Sequence, residues 1–174
     1  MRITQHFIFL ITLIFVISGF LTGCSNNSQP SDLPKLFPCK VTITQEGKPL
    51  EGATVTLFSK TPPEGRNWII SGKTNANGIA ELVTQPYFSG APEGEYKLLI
   101  GKTETDDSEV PSFEKDPKAF EKWTEKTKGI VPTYSLINPD WNNKQKTPCE
   151  VKITKDQTNT ATFDVGKAVR IRIL

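Results

Sequence analysis

Histidine is nearly absent from this chain of 174 residues, which contains one histidine, one methionine and three cysteines. The histidine, His6, precedes an apolar stretch at residues 7–21, and no imidazole is present in the rest of the sequence. This absence excludes Ser-His-Asp and Cys-His catalytic arrangements and removes the usual imidazole ligands of zinc and copper. We therefore predict no catalytic residue, no metal site and no cofactor, and we expect a protein that is not an enzyme.

An excess of charge of one sign is also missing. The chain has 21 Lys and Arg residues against 19 Asp and Glu residues, which gives a formal net charge of +2. The basic residues are scattered along the sequence and form no cluster. A balance of this kind creates no field that attracts nucleic acid, so no nucleic-acid partner is predicted.

The N-terminus has the order of an export signal. Arg2 precedes the apolar residues 7–21, and the sequence Leu21-Thr22-Gly23-Cys24 follows at once. The apolar stretch is shorter than the roughly 20 residues that a spanning helix needs. The segment resembles a bacterial lipoprotein signal peptide with its lipobox. A transmembrane anchor, and ordinary secretion with cleavage near Gly23, are the alternatives.

This resemblance implies that residues 1–23 are removed and that Cys24 carries acyl chains such as palmitate. The remaining 151 residues would have a formal charge near +1, because Arg2 leaves and no acidic residue does. Each buried methylene contributes about 0.8 kcal/mol, and two chains hold a protein stably on a bilayer. We therefore expect an exported protein of the cell envelope, anchored to a membrane through Cys24. Ser25 after the cysteine favours the outer membrane over the inner one.

Two further cysteines, Cys39 and Cys149, each begin an alternating apolar pattern, in CKVTI and CEVKI. Both side chains should therefore lie on the inward faces of their strands. An even number of cysteines in an exported chain predicts a Cys39–Cys149 disulfide. It would close a loop of more than 100 residues and contribute about 4–5 kcal/mol at most. Two separate buried thiols are the alternative.

The rest of the chain is organised as a tether followed by one domain. Residues 24–38 are polar and rich in proline, and they predict a flexible tether after the lipidated end. Short alternating segments, separated by Gly, Pro and Asn turns, then predict strands at 39–45, 53–60, 67–74, 79–84, 95–101, 149–154, 160–165 and 168–174. Seven or eight short strands favour an all-β fold for residues 39–174, an antiparallel β-sandwich.

Residues 102–148 interrupt this rhythm and are predicted to be an insertion. An acidic residue followed by proline, Asp116-Pro117, begins a helical pattern that ends near Lys128. Phe120, Trp123 and Thr127 recur at helical spacing, so one side of this short helix is apolar. We expect it to lie on the sandwich or along its edge.

Several motifs resemble carboxypeptidase regulatory-like domains, which are transthyretin-like (prealbumin-like) β-sandwiches. Residues 46–55 (EGKPLEGATV) are similar to their opening turn, residues 74–78 (TNANG) to a hairpin and residues 92–98 (PEGEYKL) to a later strand. Residues 130–165 are similar to the closing half of small planctomycete-type lipoproteins of this group. The resemblance implies the sandwich fold; such domains bind sugars or proteins, act as spacers, or accompany a catalytic domain.

Aromatic residues in predicted loops are the candidate ligand surface. Trp141 lies among polar residues of the insertion, and Tyr87 and Phe88 lie in an earlier loop. Exposed rings of this kind mark binding sites, whereas rings that fold back onto the core do not. The acidic residues 106–109 could ligate calcium, but a solvated acidic loop is the preferred interpretation.

The leading hypothesis is a non-catalytic, membrane-anchored envelope lipoprotein that displays its sandwich for binding or scaffolding. Its expected partners are the membrane, through the lipid on Cys24, and an envelope protein or a glycan. The alternative is an enzyme, or an enzyme accessory, that acts on envelope carbohydrate or peptide.

Overall fold

The computed structural model describes residues 30–62, 68–155 and 158–174. Within these ranges it contains one α-helix, α1 (Pro117–Thr127), and 3-10 turns at Asp107–Glu109 and Pro139–Asn142. The strands are β1 (Leu36–Phe37), β2 (Cys39–Gln45), β3 (Lys48–Pro49), β4 (Thr54–Ser59), β5 (Ile70–Lys73), β6 (Ile79–Glu81), β7 (Val83–Thr84), β8 (Phe88–Ser89), β9 (Ala91–Pro92), β10 (Gly94–Gly101), β11 (Thr103–Thr105), β12 (Thr133–Ser135), β13 (Glu150–Ile153), β14 (Asn159–Asp164) and β15 (Ile171–Arg172).

Two main sheets enclose the core. The six-stranded sheet has the order β13-β10-β4-β5-β7-β8, and the four-stranded sheet has β2 at its centre, with β14 on one side and β3 and β6 on the other. Buried residues of both sheets, among them Val41, Ile43, Leu57 and Leu98, form one hydrophobic cluster. The predicted all-β sandwich with one short helix is confirmed.

The alternating sequence pattern explains which side chains fill this core. In β2, Cys39, Val41 and Ile43 are buried while the residues between them are not. Successive side chains of a strand point to opposite faces, so one face of β2 is apolar throughout. Strand β10 departs from this alternation, because Leu99 on its outer face is buried as well as Leu98 and Ile100 on its inner face.

One predicted strand, 79–84, is two strands in the structure. β6 pairs with β2 in the four-stranded sheet, whereas β7 pairs with β5 in the six-stranded sheet. The chain changes sheets at Leu82, whose side chain is buried and whose N–H donates to the Cys39 carbonyl over 3.0 Å. Crossings and short edge pieces of this kind make the strands more numerous than the seven or eight expected.

The pairing of β14 with β2 is parallel, in register from Asn159 opposite Cys39 to Asp164 opposite Thr44. The other strand pairs of the described residues are antiparallel. The sandwich therefore departs from the purely antiparallel arrangement that the sequence predicts. β13 belongs to the six-stranded sheet, whereas β14, the next strand in the described residues, belongs to the four-stranded sheet beside β2.

Residues within the predicted tether already belong to the folded domain. Leu33 is buried, and Leu36–Phe37 form β1, which pairs with Ala91–Pro92. The apolar side chains at 33, 36 and 37 explain the difference, because they gain free energy by leaving water. Residues Asp32–Leu174 form one compact unit, so the predicted tether to residue 38 is shortened at its end.

Two strands of the insertion, β11 and β12, form a small sheet with β15 that the sequence does not predict, although β15 lies within the predicted strand 168–174. The order is β11-β12-β15, and we call it the insertion sheet. Helix α1 begins and ends as expected: the Asp116 carboxylate accepts the Ala119 N–H over 2.9 Å, and Lys128 is left-handed at the C-cap. None of the helix residues is fully buried, but Phe120, Trp123 and Thr127 on its apolar side are half-buried. Among the described residues, no helix has the length and apolar character to cross a membrane.

Candidate functional site

The two cysteines of the domain are free thiols, and both are buried. Cys39 lies in β2 of the four-stranded sheet, and Cys149 lies just before β13 of the six-stranded sheet. Each faces the core as predicted, but the predicted disulfide between them is not present in the structure.

Burial also makes both thiols unreactive. It raises the pKa of Cys39 to about 11 and the pKa of Cys149 to about 11. A thiol with such a pKa forms almost no thiolate at neutral pH, and the thiolate is the nucleophile. Cys39 and Cys149 therefore belong to the packing of the core.

Trp141 packs against the core instead of forming an exposed surface. It is half-buried in the 3-10 turn Pro139–Asn142, which contacts β10. The turn is fixed by Asn138, whose side chain accepts the Asp140 N–H over 3.0 Å. The Trp141 ring therefore folds back onto the core, which was the alternative to an exposed binding surface.

Tyr87 and Phe88 lie at the β7–β8 hairpin, on the far edge of the six-stranded sheet. Tyr87 is 68% exposed, and Phe88 is half-buried in β8. The sheet order puts β4 and β5 between this hairpin and β10, beside which Trp141 lies. The three predicted rings therefore do not form one ligand surface.

The acidic loop 106–109 is tied to Arg170 rather than arranged as a metal site. The Arg170 guanidinium contacts Glu104 at 2.8 Å and Asp106 at 2.6 Å, and it lies 3.6 Å from the centre of the Tyr134 ring. Hydrogen bonds from the Ser108 side chain and from Arg170 hold the pKa of Asp106 below its usual range. In the described part of the chain, no group of three or more His, Cys, Asp or Glu residues could hold a metal ion.

A groove of about 870 Å³ lies at one end of the sandwich, where β4 ends and β5 and β10 begin. Its lining, which we call the end groove, includes four aromatic residues and four lysines. The rings belong to Phe37, Phe58, Trp68 and Tyr96, and the lysines are Lys35, Lys60, Lys97 and Lys144. The volume falls in the range of about 300–1,000 Å³ that is typical of small-molecule sites.

The floor of the end groove is apolar because it is the open end of the core. Leu57, Ile70 and Tyr96 are buried side chains of the hydrophobic cluster that also line the groove. The Tyr96 hydroxyl donates to the Pro92 carbonyl over 2.9 Å, and burial raises the pKa of Tyr96 to about 12. Tyr96 is therefore neutral and satisfied, and it presents its ring to the groove.

The lysines lie around the groove with few carboxylates to neutralise them. Lys60 contacts Glu150 at 2.6 Å, which lowers the pKa of that carboxyl, and Lys97 lies opposite Glu150 in the sheet. Lys97 donates to the Lys144 carbonyl over 3.0 Å. Lys144 itself lies 5.2 Å from the centre of the Phe58 ring.

Sequence reasoning missed the end groove because its residues come from distant segments. Residues 34–37, 56–62, 68–70, 92–97 and Lys144 contribute to it. One clue was available in β4, where Phe58 occupies an outward position after Thr54 and Thr56 and remains 39% exposed. A large ring on an outward face needs a reason. The predicted lipidation site, Cys24, lies outside the described residues.

No family model matches this chain, and no curated protein matches it. Among solved structures, a variant of the major pilin subunit of Bacillus cereus shares 17% identity at a TM-score of 0.38, over 76% of this chain and 30% of that one. A proposed adhesin from Bacteroides ovatus shares 16% identity at a TM-score of 0.37, over 87% of this chain and 50% of that one. The chain spans half or less of either structure, and likenesses this weak carry no argument about its activity. The resemblance to carboxypeptidase regulatory-like domains stays a prediction.

Proposed function

We propose that this chain is an exported, lipid-anchored protein of the cell envelope, with a non-catalytic, transthyretin-like sandwich as a binding module. The observation that carries the proposal is the position of the end groove beside the N-terminal entry of the domain. Pro34, Lys35 and Phe37 line the groove and follow Cys24 by ten to thirteen residues. An extended chain from Cys24 to Pro34 spans about 35 Å at most, so an acylated Cys24 would keep the groove within that distance of a bilayer.

The lining of the groove supports binding over hydrolysis. Glycoside hydrolysis needs two carboxyl groups flanking the scissile bond, from about 5 to 9.5 Å apart. Glu93 is the one carboxylate among the described residues that line the groove. An apolar floor surrounded by ammonium groups can hold a ligand but provides no acid and base pair for this reaction.

Membrane fractionation tests the anchor. We expect the wild-type chain to pellet with membranes, to incorporate an alkyne-labelled palmitate, and to fractionate with the outer membrane. Cys24→Ala should lose the label, because the thiol that carries the acyl chains is absent. A chain that begins at residue 24, without the apolar residues 7–21, should be in the soluble fraction, because a polar tether has no affinity for a bilayer. Cys149→Ala is the matched control, since it removes a different cysteine and should leave label and location unchanged. Unlabelled wild-type protein, or wild-type protein in the soluble fraction, would refute the proposal.

A further inference from the structure

We infer that the end groove binds an anionic single-chain amphiphile, with the acyl chain on the apolar floor and the charged head among the lysines. The inference rests on the proposed function, because an anchored domain would meet such molecules at the membrane. Two features of the groove favour such an occupant: its apolar and its charged side chains lie in different parts, and lysines outnumber carboxylates in its lining.

The groove has an apolar part lined by aromatic and aliphatic side chains. Phe37 and Trp68 pack against the core cluster from the groove side, and Ile70 and Tyr96 belong to the cluster itself. Ile69 is 69% exposed at the same place, which leaves a large aliphatic side chain in water. An acyl chain laid over Ile69, Phe37 and Trp68 would remove apolar surface from water on both partners.

The charged part is concentrated near Phe58, on the outward face of the six-stranded sheet. Lys97 is the register partner of Phe58, Lys144 lies over the Phe58 ring, and Lys60 follows two residues later. Of these three ammonium groups, Lys60 bonds to Glu150 and Lys97 shares the field of the same carboxylate. In the part of the chain that the structure describes, Lys144 has no ion pair with a carboxylate. A bound anion would give Lys144 the negatively charged partner that it lacks.

The polar side chains of the lining recognise charge better than they recognise a sugar. Besides lysines and Glu93, they are the hydroxyls of Thr56, Ser59 and Thr61. A lysine is a compact, mobile point charge that selects anions without fixing their orientation. Its methylene stem also covers apolar surface while the ammonium stays in water, which suits the border between an acyl chain and its head.

Isothermal titration calorimetry with the soluble Cys24→Ser chain, residues 24–174, tests the inference, because the compact unit begins only at Asp32. Probes are used below their micelle concentration. We expect dodecanoate to bind at one site, and tetradecanoate to bind more tightly by up to about fourfold per added methylene. Dodecyltrimethylammonium, with the same chain and the opposite charge, should bind at least tenfold more weakly.

Variants assign the site. Lys97→Gln/Lys144→Gln should weaken dodecanoate binding about tenfold. Lys118→Gln/Lys122→Gln also removes two positive charges, but from exposed positions of α1, and it should leave the affinity for dodecanoate unchanged. Thermal unfolding and circular dichroism of all variants confirm that the fold is retained. The affinities of dodecanoate and lauroyl lysophosphatidylglycerol are also compared. The probe that binds more tightly indicates whether the natural ligand is a fatty acid or a phospholipid.

Three results would overturn the inference: no binding of either anionic amphiphile, equal affinity for the cationic one, or binding of polygalacturonate without dodecanoate. The last result would assign the groove to an acidic glycan. Each of these results is independent of the Cys24 fractionation, so loss of the groove ligand and loss of the lipid anchor are distinguishable.

Discussion

The sandwich buries its side chains between two sheets, whereas residues 102–148 leave most of theirs exposed or half-exposed. Val41, Val55 and Leu98 have no exposed surface, and burial of this kind is the dominant stabilising term of a fold. In the insertion, Phe113 and Phe120 contact each other at 5.5 Å between ring centres, outside the core cluster. The comparison shows that the two regions depend on different forces, and substitutions should separate them.

The largest effect is expected in the middle of the sandwich. Leu98→Ala removes a fully buried side chain of β10 and should lower the free energy of unfolding by about 2–5 kcal/mol, because the cavity cannot collapse between two sheets. Chemical denaturation followed by circular dichroism measures it. A loss below about 1 kcal/mol would mean that the core is not packed as described.

A backbone constraint comes next. Gly78 has φ of 72°, and a Cβ atom there would lie 2.5 Å from the Ile43 carbonyl oxygen. Gly78→Ala should therefore cost about 2–3 kcal/mol, since the left-handed conformation and the contact both oppose the methyl group. Gly47→Ala is the control: its φ is 74° but nothing lies within 4 Å of the added atom. Equal losses in the two variants would show that the contact with Ile43 has no effect.

The state of the cysteines gives a smaller effect. With free thiols, Cys149→Ala should cost about 1 kcal/mol, the loss of one buried group. A disulfide closing so long a loop would instead cost about 4–5 kcal/mol. Thiol titration of the non-reduced Cys24→Ala chain should give no reactive groups when native and two in denaturant. Finding none in denaturant would restore the disulfide.

The ionic contacts of the insertion sheet are expected to matter less. Arg170→Gln removes one of the two groups that lower the pKa of Asp106, the other being Ser108. The pKa of Asp106 should rise towards its ordinary value, as measured by carboxyl NMR titration. A lowered folded-state pKa stabilises the fold above about pH 4 and loses that contribution as the pH falls through it. In Arg170→Gln, the free energy of unfolding should therefore depend less steeply on pH in the acid range.

The matched residue for this titration is Asp164, whose pKa is lowered by the Gly47 N–H, the Thr44 hydroxyl and the Gly166 N–H. These donors lie in β2, in the β2–β3 turn and after β14, so Arg170→Gln should leave the Asp164 titration unchanged. A shift of Asp164, or an unmoved Asp106, would contradict the assignment.

The smallest effect is expected on α1. Phe120→Ala should lower the free energy of unfolding by about 0.5 kcal/mol, because the ring is half-buried on a helix with no buried residue. Local hydrogen exchange should rise within residues 117–127 and stay unchanged in β10. A loss as large as that of Leu98→Ala would show that the helix packs on the core.

The sequence predicts those elements that a local pattern specifies. Strand β2 has the predicted bounds, and α1 lies within one residue of its predicted ends, because one apolar face and a strong cap specify each locally. Strands β11 and β12 escape prediction, since threonine-rich segments without an apolar face acquire structure only by pairing with each other. The end groove is assembled from five distant segments, so no local pattern contains it.

The parallel pairing of β14 with β2 constrains the order of assembly. Cys39 and Asn159 are pairing partners 120 residues apart in the sequence. The second edge of β2 can therefore be covered by β14 only after almost the whole chain has been synthesised. A nascent polypeptide that has reached only residue 158 exposes the backbone donors and acceptors of β2 to any other strand. Completion of the sandwich is therefore a late event in synthesis, and a chain kept extended by a chaperone until then gains protection from misassembly.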